Sequence, residues 1–430
     1  MKTSIFVKII ACILSASCLP IAAASFQGLG DLPGSNFLSI ATSVSSNGAV
    51  VVGYSRATNG LQAFRWTAGS GLIGLGELPG GAYASFASAV SADGAVVVGG
   101  SSTALGDEAF RWTQATGMVG LGDLPGSSFF SYATGVSGNG AVVAGYSASA
   151  LSGTGFEAFR WTATNGMTAL GDLPGGAFNS RAWGISADGS TIIGESSSAN
   201  SGNNLEAFRW SAATGMVGLG DLPGGVFHSI AYATSADGSV IAGYSLPPSG
   251  VHEAFRWTAA TAVQPLGFIP CDTWSIARAV SGDGSIIVGD PQIANGGCVF
   301  IWDAPHGMRD LRQVLTGEHG LNLTGWRLDR ATALSHDGTV IVGYGINPAG
   351  ATEAWLADLS PSRLEFARVG RDVVLSWKTN GPSFILEQST SLVSSNNWNP
   401  ASAAVHRAGD HFVVTNTATA QQQFFRLKKP

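Results

Sequence analysis

The chain has 430 residues, 45% of them hydrophobic and 12% charged, with 22 Lys and Arg against 28 Asp and Glu, for a net charge of −6. Such a balance offers no basic footprint for nucleic acid, and the hydrophobic content excludes a charge-rich disordered chain. With 59 glycines, the sequence describes a folded protein with many turns and enough length to bury a large core.

At the amino terminus, Lys2 and Lys8 precede an apolar run from Ile9 to Leu19 that ends in Ala22-Ala23-Ala24. This is the pattern of a secretory leader with a small-residue cleavage site, so residues 1–24 are expected to be removed and the protein exported. The run is too short for a membrane span, and no later stretch offers about 18 uninterrupted apolar residues. Without the leader the balance becomes 20 basic to 28 acidic residues, a net of −8. Two of the four cysteines leave with it, and Cys271 and Cys298 remain as a candidate disulfide in an oxidising compartment.

From Phe26 onward the chain repeats itself. The phrase Gly-Leu-Gly-Asp-Leu-Pro-Gly, or a close copy, begins at Gly28, Gly74, Gly120, Ala169 and Gly218, at intervals of 46 to 49 residues. Each copy opens a unit that runs aromatic, Ser-x-Ala, Val-Ser-x-Asp/Asn-Gly, Val-Val-Val-Gly-Tyr-Ser, a variable stretch, then Glu-Ala-Phe-Arg-Trp-Thr. The Asn-Gly or Asp-Gly element occurs seven times, from Asn47-Gly48 to Asp337-Gly338, so seven units are present although the full phrase appears five times. Each unit holds four short β-prone segments, and Asn-Gly or Asp-Gly between the first two is a strong hairpin signal. Four strands per unit of this length fit a propeller blade, whereas a β-helix rung would be much shorter and a helical repeat would show a 3.6-residue apolar period.

The expected fold is therefore all-β: a seven-bladed β-propeller of four-stranded blades over residues 25–360. The stretch Phe26 to Leu32 is a fourth strand without its first three, and the last unit ends near Leu359 without a fourth, so the amino-terminal strand is expected to close the ring. The phrase itself offers Gly-x-Gly, but its sixth position is Pro and no helix follows, which rejects a dinucleotide fingerprint. After Ser360 the repeat stops. Short alternating strands at Leu364 to Val369, Val373 to Trp377, Phe384 to Gln388, Phe412 to Thr417 and Phe424 to Leu427 predict a small β-sandwich over residues 361–430.

Two patterns inside the repeat carry functional expectations. The phrase acids Asp31, Glu77, Asp123, Asp172 and Asp221 accompany Arg65, Arg111, Arg160, Arg209 and Arg256 in five units and disappear together in the last two, which predicts structural ion pairs between outer and third strands. An aromatic follows each phrase, at Phe37, Tyr83, Phe129, Phe178 and Phe227, with Trp274 and Trp326 close to the same register. On the face that carries the variable second-to-third connections, these seven could serve as stacking platforms for a glycan or an extended peptide, or as wedges between blades. Trp66, Trp112, Trp161, Trp210 and Trp257 are expected in the core. The seven histidines are scattered, no Ser stands in Gly-x-Ser-x-Gly, and no metal or cofactor motif is present, so no catalytic residue is assigned.

These residues resemble the HAF repeat, a probable extracellular repeat of bacterial secreted proteins, across roughly residues 26 to 359. The departure is in the His before Ala-Phe, which is Glu at positions 108, 157, 206 and 253 and Gln at 62. The last domain, with Val-Val-Leu-Ser-Trp and a terminal Phe-Phe-Arg-Leu, resembles the fibronectin-III or Ig-like modules that close many secreted bacterial proteins. The resemblance implies export and a propeller-like fold, and brings no established activity. The expected function is an exported, non-catalytic binding or scaffold protein, with a propeller enzyme acting on polysaccharide and a purely structural surface protein as alternatives.

Overall fold

A computed structural model describes residues 7–10, 21–22, 24–34, 36–202, 204–270, 272–291, 298–362, 364–369, 372–378, 385–389, 398–401, 403–408, 411–417 and 422–428. Among the described residues the chain is all-β apart from a helical turn at Leu311–Gln313 that runs on into Val314–Glu318. It divides into a large unit, Phe26–Glu318 with Asn322–Ala357, and a smaller one formed by Met1–Ser25, His319–Leu321 and Asp358–Pro430.

In the large unit the repeat becomes a series of four-stranded antiparallel sheets. The first holds Ser39–Val44, Val51–Ala57, Gly60–Thr67 and Gly71–Gly74, paired in chain order. The same order recurs in the sheets whose first strands are Gly80–Val90, Ser131–Val136, Ser180–Ile185, Ser229–Thr234 and Ile276–Val280. A single parallel bridge, Leu61 to Ala84, joins the first two of these sheets. In the last sheet Arg327–Leu334, Val340–Ile346 and Thr352–Asp358 take Ser25–Gly28 as their fourth strand. Leu29 N then donates to Ala354 O at 2.9 Å.

The Asn-Gly and Asp-Gly turns are also bonded from sheet to sheet. Ser46 N donates to Ala92 O, Ala92 N to Gly138 O, Gly138 N to Ala187 O, Ala187 N to Ala236 O, Ala236 N to Gly282 O, Gly282 N to His336 O and His336 N to Ser46 O, all within 2.7–3.1 Å. Inside each turn a buried serine does two jobs. Ser91 Oγ, for example, donates to Asp93 Oδ1 at 2.6 Å and accepts from Val96 N at 2.9 Å. Glycine is required at the second turn position because φ there is positive, +74° at Gly94.

Apolar packing runs between consecutive sheets. Val50, Val52 and Ala63 of the first sheet pack with Ala87, Val90, Val97 and Phe110 of the second. Val340, Val342, Ala354 and Leu356 of the last pack with Leu29, Ala41, Val51 and Phe64. A strand buried on both faces gains nothing from alternation, which explains the unbroken Val-Val-Val runs. The phenylalanine at the Glu-Ala-Phe position is among the largest fully buried side chains, at most 1% exposed from Phe64 to Phe300, and Trp355 takes its place in the last unit. The tryptophan two residues on is shallower: Trp66 is buried, and Trp112, Trp161, Trp210 and Trp257 are half-buried at the edges of the same clusters.

The smaller unit contains two four-stranded sheets. One orders Glu365–Val369, Asp372–Lys378, His411–Thr417 and His406–Ala408, and the other Val7–Ile10, Gln422–Lys428, Ile385–Ser389 and Asn399–Pro400. They share a core of Leu364, Leu375, Trp377, Leu386, Val414 and Phe425. Arg426 Nε donates to the buried Glu387 Oε2 at 2.7 Å.

Candidate functional site

The phrase proves to be a joint. Within the second sheet, Glu108 Oε1 accepts from Gly122 N at 2.9 Å, and Glu353 and Glu206 do the same for Gly30 and Gly220. A side chain at Gly120 would place its Cβ 2.2 Å from that Glu108 oxygen, which suits the glycine that opens every copy of the phrase but the one at Ala169. Ser131 Oγ then links two sheets, accepting from Ala109 N at 2.9 Å and donating to Gly122 O at 2.6 Å. Leu124 N donates across the same joint to Ser147 Oγ at 2.9 Å. Backbone groups that the crossing would bury without partners are thereby satisfied by serines that are themselves fully buried.

This geometry corrects the predicted ion pairs. Among the described residues, none of Asp31, Glu77, Asp123, Asp172 and Asp221 pairs with Arg65, Arg111, Arg160, Arg209 or Arg256. The acids lie beside the Glu or Gln that opens Glu-Ala-Phe: Gln62 Nε2 donates to Glu77 Oε2 at 3.1 Å. The arginine stands three residues further along that strand, about 10 Å away. It turns to the next sheet's Asp-Gly or Asn-Gly turn instead, Arg65 Nε donating to Gly94 O at 3.1 Å and Arg111 Nε to Gly140 O at 3.3 Å. Arg209 Nη2 reaches Thr191 Oγ1 at 3.0 Å. Burial holds the carboxyls of Asp31, Asp123, Asp172 and Asp221 above the usual range, and a neighbouring glutamate adds to this at Asp31, Asp172 and Asp221.

Nor do the aromatics after the phrase assemble into one surface. Phe37 and Tyr83 are exposed, at 41% and 57%, and Tyr83 borders a groove of about 470 Å³ with Gln62 and Glu77. Phe129, Phe178 and Phe227 are half-buried. Trp326 packs edge-on against Phe26 at 5.2 Å. Among the described residues only Trp274 joins a larger array. Cys298 is disulfide-bonded, and Cys271 falls outside the described residues.

The larger array is built mainly on the tyrosine of Gly-Tyr-Ser and its neighbours on the first strands. Phe130 and Phe156 meet at 5.0 Å, Phe156 and Tyr146 at 5.2 Å, Tyr146 and Trp183 at 5.6 Å, and Trp183 and Tyr232 at 5.9 Å. The series continues through Tyr232 and Tyr244 at 6.0 Å, Tyr244 and His252 at 4.2 Å, and His252 and Trp274 at 4.6 Å. These are the separations of tilted and edge-to-face aromatic pairs. Phe130, Phe156, His252 and Trp274 come from the phrase and second-to-third connections, so the series begins and ends in loops.

Charges are threaded through it. The Gly-Tyr-Ser position is Tyr54, Gly100, Tyr146, Glu195, Tyr244, Asp290 and Tyr344 in the seven units. At Gly100 the place of the missing ring is taken by Tyr132, whose Cε2 would lie 2.3 Å from an added Cβ. In the two units where an acid replaces Tyr, an arginine stands on the first strand. Arg181 Nη1 lies 2.9 Å from Glu195 Oε1, and Arg278 Nε lies 3.0 Å from Asp290 Oδ2. The same guanidiniums lie over rings, Arg181 4.8 Å from Phe156 and Arg278 5.0 Å from Tyr232. This second covariation was present in the sequence; the first-strand arginines, paired with acids about 12–14 residues downstream, were the overlooked signal.

Burial raises the Glu195 carboxyl, against the pull of the adjacent Trp183 indole and the Arg181 guanidinium. Burial opposes the charge on Arg278, and the Asp290 carboxylate outweighs it, so the guanidinium is held firmly protonated. The tyrosine hydroxyls are pushed up by burial as well, Tyr132 to about 12, so at neutral pH they are hydrogen-bond donors as well as acceptors. Asp290 is fully buried and Glu195 2% exposed, each held by an arginine. A carboxylate fixed in this way is a poor proton shuttle but a good scaffold for the guanidinium it holds.

No family model matches the chain, and no curated protein matches it. Among solved structures it is similar to TolB from Acinetobacter baumannii, with TM-score 0.42 and 14% identity over 60% of this chain and 62% of that one. An oligogalacturonate lyase from Vibrio parahaemolyticus gives TM-score 0.47 and 8% identity over 83% and 97% of the two chains. A puromycin hydrolase gives 0.48 and 13% over 79% and 58%. What defines the fold is the chain's own strand order and its bonds from sheet to sheet.

Proposed function

We propose that residues 26–357 form a closed seven-bladed β-propeller of HAF type, exported through the leader at 1–24, that binds a glycan without turning it over. The hydrogen bonds that return from His336 to Ser46, and the fourth strand taken from Ser25–Gly28, support closure. One observation carries the binding reading: a continuous series of ring contacts from Phe130 to Trp274 crosses four units and ends in half-buried loop aromatics. Stiff rings presented in series bind sugar faces at low entropic cost. The carboxylates of the array are committed to arginines, which favours binding over hydrolysis. The test is a glycan array probed with the full chain and with Trp274→Ala. Retained glycans whose binding falls about 10-fold or more in the variant are expected. An array that stays blank, a signal indifferent to the variant, or release of cleaved sugar would reject the reading.

A further inference from the structure

Within the charged part of the array, three guanidiniums, Arg181, Arg278 and Arg330, face two carboxylates, Glu195 and Asp290. Arg181 is committed to Glu195. Arg278 holds both oxygens of Asp290, at 3.0 Å from Nε and 3.4 Å from Nη2. What remains for Arg330 is a distance of 3.8 Å from its Nε to Asp290 Oδ1, longer than a hydrogen bond and directed at an oxygen that Arg278 already reaches. Arg330 donates no hydrogen bond among the described residues, and its side chain is 33% exposed. One cation is therefore in excess here, in a protein whose net charge is −6.

The neighbours of that cation are donors too. Tyr344 is its cross-strand partner, and Tyr54, from the adjoining first sheet, lies close enough for the Arg330 charge to act on its hydroxyl. Both hydroxyls keep their protons at neutral pH. A guanidinium fork with unmet N–H groups, flanked by two phenols, lacks an acceptor, and the acceptor it matches best is a planar oxyanion. We infer that Arg330, with Tyr54 and Tyr344, forms a subsite for the carboxylate of an acidic sugar. Asp290 and Arg278 act as positioning residues that hold the fork in place. The inference rests on the glycan reading above and adds the charge of the ligand to it.

The experiment is calorimetric titration of the full chain with a hexuronic acid hexamer, with the same hexamer after reduction of its carboxyls to alcohols, and with sodium sulfate. The acidic hexamer is expected to bind at least 10-fold more tightly than the reduced one. Arg330→Gln should weaken the acidic hexamer by about 10- to 100-fold and leave the reduced hexamer unchanged, as loss of charge-assisted hydrogen bonds implies. Tyr344→Phe, which keeps the ring and its packing, should weaken the acidic hexamer by a smaller factor. Sulfate should compete only at far higher concentration, because it lacks the sugar ring. Equal binding of both hexamers, or of sulfate and the acidic hexamer, would overturn the assignment. So would an acidic hexamer bound equally by Arg330→Gln and Tyr344→Phe. If the reduced hexamer binds as well as the acidic one and Trp274→Ala abolishes both, the glycan reading survives and only the carboxylate subsite falls.

Discussion

Replacing Ser39 by Ala tests the joint on which closure depends. Ser39 Oγ accepts from Ala354 N of the last sheet at 3.0 Å and donates to Gly30 O at 2.5 Å. Ser39 and Ala354 are 0% exposed, while Gly30 is half-buried. Loss of the hydroxyl leaves the Ala354 amide unpaired where water does not reach, at a cost of about 1–3 kcal/mol, and weakens Gly30 O by up to about 1 kcal/mol, since solvent can partly replace the bond. The expected loss is about 1–4 kcal/mol in urea unfolding followed by tryptophan fluorescence. The control is Ser131→Ala, which removes the same two bonds, to Ala109 N and Gly122 O, at a joint between consecutive sheets. In a closed ring the two variants lose similar amounts, and hydrogen exchange around Ala354 accelerates only in Ser39→Ala. If Ser131→Ala costs the full amount and Ser39→Ala less than about 0.5 kcal/mol, the seventh sheet is not joined to the first as a structural unit. The closure argument then fails.

The Arg181–Glu195 pair should behave as a unit. Glu195→Tyr alone strands a partly buried guanidinium, and Arg181→Ile alone strands a buried carboxylate, each losing about 3 kcal/mol or more. The double variant recreates the Ile230/Tyr244 pairing found in the fifth unit and should recover much of that loss in the same unfolding assay; additive losses would show that the two side chains do not act together. The Asp-Gly turns set the acid limb of stability. Serine hydroxyls and backbone amides hold Asp237 and Asp283 at about 2, below the ordinary 3.8. A depressed folded-state value means that the stabilisation is present above about pH 4 and is lost as pH falls towards 2. Asp237→Asn with Asp283→Asn keeps the acceptor oxygen, as Asn47 and Asn139 do naturally, so melting temperature should fall less between pH 4 and pH 2 than in the unaltered protein. Superimposable acid limbs would count against the turn aspartates as its source.

What could be read in advance was local. Asn-Gly and Asp-Gly set the hairpins because the Asn or Asp side chain accepts from the backbone of the turn and the glycine takes the positive φ that few other residues tolerate, and the Phe, Ala and Val of each unit had to be buried because a sheet with neighbours on both faces has no polar side. The serines were visible as a repeating letter, and the phrase as a recurring punctuation. Their partners were not. Ser131 bonds to atoms of Ala109 and Gly122, and that depends on how one sheet docks on the next rather than on any local preference.

The same reason accounts for both misplaced expectations. Asp and Arg of one unit vanish together in the last two units, yet the acid of each phrase lies beside the Glu or Gln of the preceding sheet, about three residues along from that sheet's arginine, so the coincidence does not mark a contact. The aromatics after the phrase share a letter position, on connections of the same length, but scatter between exposed and half-buried sites. The series from Phe130 to Trp274 instead draws on strands and loops of four units, and its members become neighbours only when those sheets pack side by side. The amino-acid order settled the strands and their turns. Which side chains from different units share one surface, and which cation there is left without a hydrogen-bonded acceptor, was decided by tertiary packing, since such contacts span whole repeats and carry no local signature.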